Sequence, residues 1–195
     1  MINLEKMGAA AQTASLEMSR ANTDIKNVAL QAIADGLVSS EKDILTANKR
    51  DAEAGRRHGL SNALIDRLTL TSKSLLGMAA DVRSIAALPD PIGETFDERV
   101  LPNGLRLRRQ RVPIGVLGVI YESRPNVTID VSALAVKTGN AALLRGGSET
   151  IHSNLALVQI VQRALQQANL PQSVVQFIAD TDRKYVSELL RLHDF

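Results

Sequence analysis

The chain has 195 residues, of which 45% are hydrophobic and 23% charged, so it can form a sizeable core in one domain, with or without an appendage. Aromatic residues make up only 3%, which favours aliphatic helices packed on a sheet over an aromatic-rich all-β fold. The net charge of +2, the short apolar runs and the lack of cysteine exclude a polycationic tail, a membrane-spanning helix, disulfides and thiolate metal sites in this sequence.

Residues 3–88 are predicted to form a succession of amphipathic helices. Apolar side chains recur at helical spacing over Leu4–Met18 and again over Ile25–Leu37. Capping residues before Ile44 begin a third helix, and Pro89 ends the last one. We therefore expect a helical region over residues 1–90, with its last three helices running towards Gly55 and over Leu60–Leu68 and Lys73–Ala87.

Residues 91–111 are predicted to form a β-hairpin arm. The segments Glu98–Leu101 and Leu105–Arg108 flank Asn103-Gly104, a dipeptide that strongly favours a hairpin turn. Alternation places Leu105 and Leu107 on one face of the second strand and arginines on the other.

Residues 112–195 read as alternating strands and helices. Val112–Tyr121 is nearly all apolar, as expected of a strand buried on both faces of a parallel sheet. The predicted fold is therefore α/β, a three-layer αβα Rossmann-like parallel sheet. A doubly wound sheet needs a further strand after the last helix, so we expect the chain to be truncated at 192–195. The remaining elements are predicted as helix 127–137, strand 141–144, helix 149–168, strand 174–178 and helix 181–190.

The stretch with the strongest chemical signal is Arg145-Gly146-Gly147-Ser148-Glu149, which follows a buried strand and opens a helix. The two glycines would let a ligand approach the backbone, and the free N–H groups of the helix N-terminus would attract an anion. Arg145 could bind a phosphate and Glu149 could accept from a ribose hydroxyl. The alternative is a tight strand-to-helix turn in which Ser148 is merely the N-cap.

A second polar stretch, Tyr121–Asn126, follows the preceding strand. Ligands in open α/β sheets bind beyond the carboxyl ends of the strands, so this stretch and Arg145 predict one shared cleft. Its candidate cleft residues are Glu122, Ser123, Arg124 and Asn126. The alternative is a polar loop in which Ser123 or Asn126 caps the next helix.

The three histidines, His58, His152 and His193, are far apart in sequence and lack the spacing of metal ligands, so no metal site is predicted. Arginines 106, 108, 109 and 111 form a basic cluster without an aromatic platform. That pattern favours a solvated or subunit-facing hairpin over nucleic-acid contact.

Two long segments, Arg111–Val127 and Ala133–Glu149, resemble the aldehyde dehydrogenase superfamily. The helical region and the hairpin agree with it in order and length, so the likeness spans the whole chain. The resemblance implies the N-terminal, cofactor-binding part of such an enzyme, with the catalytic domain absent. It also implies that the hairpin over residues 96–111 is an oligomerisation arm, and hence a homo-oligomer.

Within that superfamily, the match is to the branch that reduces L-glutamate 5-phosphate to L-glutamate 5-semialdehyde with NADPH in proline biosynthesis. The implied location is the cytoplasm, with the glutamate kinase of the preceding step as a candidate partner and with no nucleic-acid or membrane partner. That branch uses a cysteine thiolate as its nucleophile. Because the chain has no cysteine, no catalytic residue is assigned to it, and we expect it to be inactive by itself.

The resemblance also suggests roles for the cofactor residues. Arg145 stands where many aldehyde dehydrogenases have a lysine near the adenosine ribose, and a guanidinium there suits the 2′-phosphate of NADP(H). Ser148 and Glu149 resemble the Ser-Glu pair that ends this motif, with one extra glycine before them. The oxyanion-hole asparagine of the superfamily has no assigned counterpart, because an ungapped count places Glu122 at its position.

Two other functions remain open at this level. One is a stand-alone interaction module that uses the hairpin to join a partner or a second copy. The other is nucleic-acid binding by the arginine-rich hairpin, which would show steeply salt-dependent affinity.

Overall fold

The computed structural model describes residues 2–192, and it begins with five helices. Several of these helices start at side-chain caps: Asn3 accepts a hydrogen bond from the Lys6 N–H, Asn22 from Ile25, and Ser61 from Leu64. The prediction of five amphipathic helices is therefore confirmed, with shifts of a few residues at the ends. The helices are α1 (Leu4–Met18), α2 (Thr23–Ser39), α3 (Glu41–Arg57), α4 (Asn62–Leu68) and α5 (Ser72–Ala87).

The hairpin consists of β1 (Thr95–Val100) and β2 (Arg106–Gln110), paired antiparallel. Gly104 adopts a φ of 84°, the left-handed conformation for which the Asn-Gly dipeptide was expected. Both strands extend further towards the base of the hairpin than the sequence pattern predicted. Every residue in the two strands is exposed, so the arm adds nothing to the core of this chain.

The remaining strands form one parallel three-stranded sheet in the order β3-β4-β5. Three helices alternate with these strands along the chain, which confirms the predicted α/β fold. The elements are β3 (Val116–Ile120), α6 (Pro125–Lys137), β4 (Ala141–Arg145), α7 (Ile151–Gln167), β5 (Val175–Phe177) and α8 (Lys184–Leu189).

The central strand β4 shows how the layers are arranged, because its side chains alternate between two apolar clusters. Ala141 and Leu143 pack with residues of α1 and α8 on one side of the sheet. Ala142 and Leu144 pack on the other side with α6, α7, α2 and α5. The first helix of the chain thus serves as part of a sheet-covering layer.

The strand β3 corrects one expectation. Residues 112–121 were predicted to be a strand buried on both faces, yet only Val116–Ile120 is a strand, and it forms one edge of the sheet. Val112 and Ile114 are 70% and 81% exposed. An apolar run indicates that side chains can be buried, but it does not show where the strand begins or which strands pair with it. Within residues 2–192, β3 pairs only with β4.

The segment that leads into the hairpin is fixed by buried charges. Lys26, which is 2% exposed, forms an ion pair with Asp90. Lys137 donates to the Asn27 side chain at 2.9 Å and to the Ala86 carbonyl at 2.8 Å. Helices α2, α5 and α6 therefore meet at the root of the arm.

Among the helices of residues 2–192, none has the length and the apolar character that a membrane span requires.

Candidate functional site

A cleft of about 560 Å³ lies beyond the carboxyl ends of the sheet strands. It brings together Glu122 and Ser123, which follow β3, with the whole segment Arg145–Glu149, which follows β4. The two polar stretches that we singled out in the sequence therefore do share one cleft, as the parallel arrangement of their strands predicts.

Sequence reasoning missed a third wall of this cleft, formed by the loop after β5 and by α8. It contributes Thr181, Arg183, Val186 and Ser187. The predicted strand over residues 174–178 could have indicated this wall. Because β5 is parallel to β4, its carboxyl end must lie at the same edge of the sheet.

Arg145 is the most unusual side chain of the cleft, because it is a cation that is only 6% exposed. One guanidinium nitrogen donates to the Gly146 carbonyl and another to the Thr181 carbonyl at 3.2 Å, while the Nε atom has no hydrogen-bond partner. Within residues 2–192, Arg145 forms no ion pair with an acidic side chain. A buried cation without a counter-ion is costly, so this position favours an anionic ligand.

Glu149 lies in the same cleft, but both of its carboxylate oxygens already accept hydrogen bonds. Ser123 donates to one oxygen, and Ser148 donates to the other at 2.9 Å. Burial opposes ionisation of Glu149, but these two hydrogen bonds and the positive charge of Arg145 outweigh it and hold its pKa below the ordinary value. Glu149 is thus an ionised link between the loop after β3 and the loop after β4.

The two glycines of the β4–α7 loop are needed for packing within the chain. A Cβ atom on Gly146 would collide with the Asn154 side chain and would lie 3.1 Å from the Tyr121 ring. A Cβ atom on Gly147 would collide with the Ser123 hydroxyl and would lie 3.0 Å from the Ser123 backbone nitrogen. The space beside both glycines is filled by protein atoms, so the expectation that they admit a ligand to the backbone is not supported.

The N-terminus of α7 also differs from the expectation of a free anion site. Asp51 of α3 is 2% exposed, and its carboxylate accepts the N–H groups of His152 at 3.2 Å and Ser153 at 2.7 Å. It also accepts the Ser153 hydroxyl at 2.6 Å. The N–H groups that would attract a ligand are therefore occupied by a carboxylate of the helical region. The N-terminus of a helix attracts this carboxylate for the same reason that it would attract an anionic ligand, namely its free N–H groups and the helix dipole.

The alternative interpretation of these polar residues as helix caps is wrong. Ser148 does not cap α7, which starts at Ile151 after a short 3-10 turn over Ser148–Thr150. Neither Ser123 nor Asn126 caps α6, whose N-cap is Arg124 without a side-chain hydrogen bond. Instead, Ser123 and Ser148 donate to Glu149, and Asn126 donates to Asp130.

A chain of buried hydrogen bonds lies beneath the cleft. The Tyr121 hydroxyl is 2.7 Å from the Thr128 hydroxyl, which donates to the Asn154 side chain at 2.9 Å. Asn154 in turn donates to Thr150 at 3.1 Å. Burial raises the pKa of the Tyr121 hydroxyl to about 12, although its hydrogen bond with Thr128 and the charge of Arg145 act in the opposite direction. These hydrogen bonds tie β3, α6 and α7 together below the residues that line the cleft.

The Tyr121–Asn126 stretch is only partly in the main cleft, because Arg124 and Asn126 do not line it. Glu122 pairs with Arg124 at 2.8 Å. Arg124 lines a smaller pocket of about 170 Å³ next to Leu60 and Leu64 rather than the main cleft. Asn126 is exposed on α6, donates to Asp130 at 3.2 Å and lines neither pocket.

His58 and His152, far apart in sequence, line one further pocket of about 460 Å³ that also contains Asp51 and Glu149. No group of three or more histidine or acidic side chains placed to hold a metal occurs within residues 2–192. His193 lies outside the described residues.

The fold agrees with the comparisons to known proteins. The family model described as the aldehyde dehydrogenase family matches residues 3–195, and the chain belongs to that family. Within the family, the chain is similar to gamma-glutamyl phosphate reductases. It is 54% identical over 194 residues to the gamma-glutamyl phosphate reductase of Photobacterium profundum, a match that covers 100% of this chain and 46% of the relative.

Solved structures show the same relationship. The gamma-glutamyl phosphate reductase of Thermotoga maritima is 42% identical with a TM-score of 0.96, and the match covers 100% of this chain and 47% of that one. The Saccharomyces cerevisiae enzyme of the same name is 30% identical with a TM-score of 0.91, covering 100% and 50%. The chain thus spans about half the length of these relatives. The resemblance that the sequence motifs indicated is confirmed.

Proposed function

We propose that this chain supplies the cofactor-binding portion of an enzyme that reduces L-glutamate 5-phosphate to L-glutamate 5-semialdehyde with NADPH. The observation that carries the proposal is the uncompensated Arg145 guanidinium in a cleft at the carboxyl edge of the sheet. Similarity over the whole chain to gamma-glutamyl phosphate reductases supports the choice of reaction. A cytoplasmic location and an association with glutamate kinase stay predictions.

The residues present fit a phosphorylated nicotinamide dinucleotide. A buried guanidinium whose Nε lacks a partner matches the charge and donor requirements of a phosphate ester. Arg145 would hold the phosphorylated ribose, with Ser148 as a neighbouring hydroxyl donor and Gly146 and Gly147 shaping the loop. When bound, the nicotinamide cofactor supplies the hydride.

The residues of this chain bind and orient, and none of them is proposed to react. Glu149 and Ser123 hold the loops after β4 and β3 in one arrangement through their shared hydrogen bond. Glu122 and Arg124 form an exposed ion pair at the end of β3 that could contact cofactor or substrate. The family's chemistry requires a thiolate nucleophile, and the chain has no cysteine.

We therefore expect the purified 195-residue chain to show no turnover of L-glutamate 5-semialdehyde with NADP⁺ and phosphate above a buffer blank. The gamma-glutamyl phosphate reductase of Thermotoga maritima is the positive control. We also expect weak NADP⁺ binding by thermal-shift titration, because only part of an interdomain cleft is present. Turnover by the chain alone, or submicromolar binding, would contradict these expectations.

The positive test is a chimera in which this chain replaces the matching portion of the Thermotoga maritima enzyme. We expect a soluble chimera that reduces L-glutamate 5-phosphate with NADPH, whereas the same chimera with Arg145→Ala should need more NADPH for half-maximal rate. A folded chimera without activity would count against the proposed function.

A second proposal concerns the hairpin, which we propose joins a second copy of the chain. Its exposed side chains include Phe96, Val100, Leu105 and Leu107, which are 42%, 65%, 56% and 39% exposed. Apolar side chains on an exposed two-stranded ribbon favour an intermolecular contact. Deletion of Leu105–Arg109 should abolish self-association in sedimentation velocity, and an unchanged sedimentation coefficient would remove the support for this contact.

A further inference from the structure

The loop after β5 places a second arginine in the cleft. Arg183 lines it together with Thr181 and Ser187. The side chain is exposed, and within residues 2–192 it takes part in no ion pair. This loop is joined to the Arg145 side chain, because the Arg145 guanidinium donates to the Thr181 carbonyl at 3.2 Å. Two guanidinium groups therefore belong to one cleft.

The acidic residues next to Arg183 in the sequence form hydrogen bonds within the turn over residues 180–184. Asp180 accepts the Asp182 N–H at 2.9 Å. Asp182 accepts the Lys184 N–H at 2.9 Å and pairs with the Lys184 ammonium at 3.5 Å. Asp182 is thus paired with Lys184, whereas Asp180 accepts only a backbone N–H. Neither acid lines the cleft, so Arg183 is the charged side chain that the loop contributes to it.

The acids elsewhere in the cleft are also engaged. Glu122 pairs with Arg124, and Glu149 accepts hydrogen bonds from two serines. Within residues 2–192, neither Arg145 nor Arg183 forms an ion pair, so both guanidinium groups can bind an added anion. Two such groups suit a dianionic ligand better than a carboxylate.

We propose that Arg183 is a specificity-determining residue that acts with Arg145 to bind the 2′-phosphate by which NADP(H) differs from NAD(H). The Ser187 hydroxyl is a further donor on the same wall. This inference rests on the proposed function, since it assumes that the adenosine half of the cofactor lies in this cleft. It assigns the choice between the two cofactors to the loop after β5 as well as to the β4–α7 loop.

The test uses two ligands that differ by one phosphate, adenosine 2′,5′-bisphosphate and adenosine 5′-monophosphate, titrated into the 195-residue protein by calorimetry. The unmodified protein should bind the bisphosphate more tightly. Arg183→Ala should weaken bisphosphate binding by about 10- to 100-fold, as expected for loss of a charge-assisted contact, and leave binding of the monophosphate unchanged. Arg183→Lys should fall between the two, because lysine keeps the charge and loses the bidentate geometry.

Lys184→Ala is the matched control, because it removes a neighbouring positive charge that pairs with Asp182 and does not line the cleft. It should change neither affinity. Arg183 is exposed, so its variants should fold, and circular dichroism checks this. If Arg183→Ala lowers the affinity for both ligands equally, or for neither, the inference about Arg183 is wrong, while the proposed cofactor cleft is not contradicted. If neither ligand binds the unmodified protein, the proposed cofactor site itself is contradicted.

Discussion

The strands of the hairpin and the central strand of the three-stranded sheet are of similar length, yet they differ completely in burial. All eleven residues of β1 and β2 are exposed, whereas all five residues of β4 are buried. A two-stranded ribbon is only marginally stable in water by itself, while a sheet covered by helices on both faces has a core of its own. The sheet is thus stabilised within this chain, and the hairpin depends on its root and on whatever it contacts.

The root of the hairpin shows what the chain itself provides. The Gly93 N–H donates to the Arg111 carbonyl at 3.0 Å, and Arg111 pairs with Glu94 at 2.6 Å. Asp90, half-buried beside Lys26, holds the preceding segment against the helices. The arm is therefore anchored at its base, and its tip is free to engage a partner. Four predictions test this contrast between a buried sheet and an exposed arm.

The largest effect is expected in the centre of the sheet. Leu144→Ala should lower the free energy of unfolding by about 2–5 kcal/mol, because Leu144 is fully buried and its truncation leaves a cavity. Urea unfolding followed by circular dichroism measures the change. A loss below about 1 kcal/mol would show that β4 is less tightly packed than its burial indicates.

The next effect depends on pH and on Tyr121 at the end of β3. Burial raises its pKa in the folded chain to about 12, above the ordinary tyrosine value of 10.0. The folded state therefore holds the proton more tightly. Below about pH 10, this difference in proton affinity leaves the free energy of unfolding at its full value. As the pH rises through about 12, the free energy of unfolding falls by about 2–3 kcal/mol.

Tyr121→Phe is the control for this titration, because phenylalanine keeps the ring and cannot ionise. Urea unfolding of both proteins at several alkaline pH values isolates the contribution of the hydroxyl. The stability of the unmodified protein should fall more steeply with pH than that of the variant. Parallel curves would contradict the burial of this hydroxyl.

A smaller loss, of about 1–3 kcal/mol, is expected for Gly147→Ala, because its new methyl group would overlap Ser123. Adding Ser123→Ala should recover part of the loss, and the recovery measures the coupling between the two loops. Gly77→Ala is the matched control in α5, where a Cβ meets nothing within 4 Å. It should raise stability by up to about 1 kcal/mol, as alanine favours helix. Equal effects at both glycines would refute the packing role of Gly147.

The smallest change in stability is expected in the arm. Leu107→Ala should alter the free energy of unfolding of the monomer by less than about 0.5 kcal/mol, because this side chain is exposed and packs on no core cluster. The same variant should weaken self-association in sedimentation velocity. A monomer destabilised as much as by Leu144→Ala would erase the distinction between the two regions.

Local sequence patterns were sufficient for most of the elements. Helical spacing located α1 and α2, because apolar residues recur every three to four positions on the buried face of an amphipathic helix. Asn103-Gly104 located the turn of the hairpin, because few residues tolerate its left-handed backbone. The polar residues after β3 and β4 located the cleft, because parallel strands end at the same edge of a sheet.

Contacts between distant segments decided the rest. The carboxylate that occupies the N-terminus of α7 comes from Asp51, 102 residues before Ser153, and no local pattern points to it. The apolar run of β3 could not reveal that the strand lies at an edge, because strand order depends on packing of the whole sheet.

Local patterns thus predicted most of the helices and strands, and the motifs indicated the family to which the chain belongs. The tertiary structure decided that Gly146 and Gly147 make room for Asn154 and Ser123, and that Arg183 joins Arg145 in one cleft. The physical reason is that local backbone preference and hydrophobic periodicity act over a few residues. The surroundings of a side chain, and with them its charge balance and accessibility, arise only when distant segments pack together.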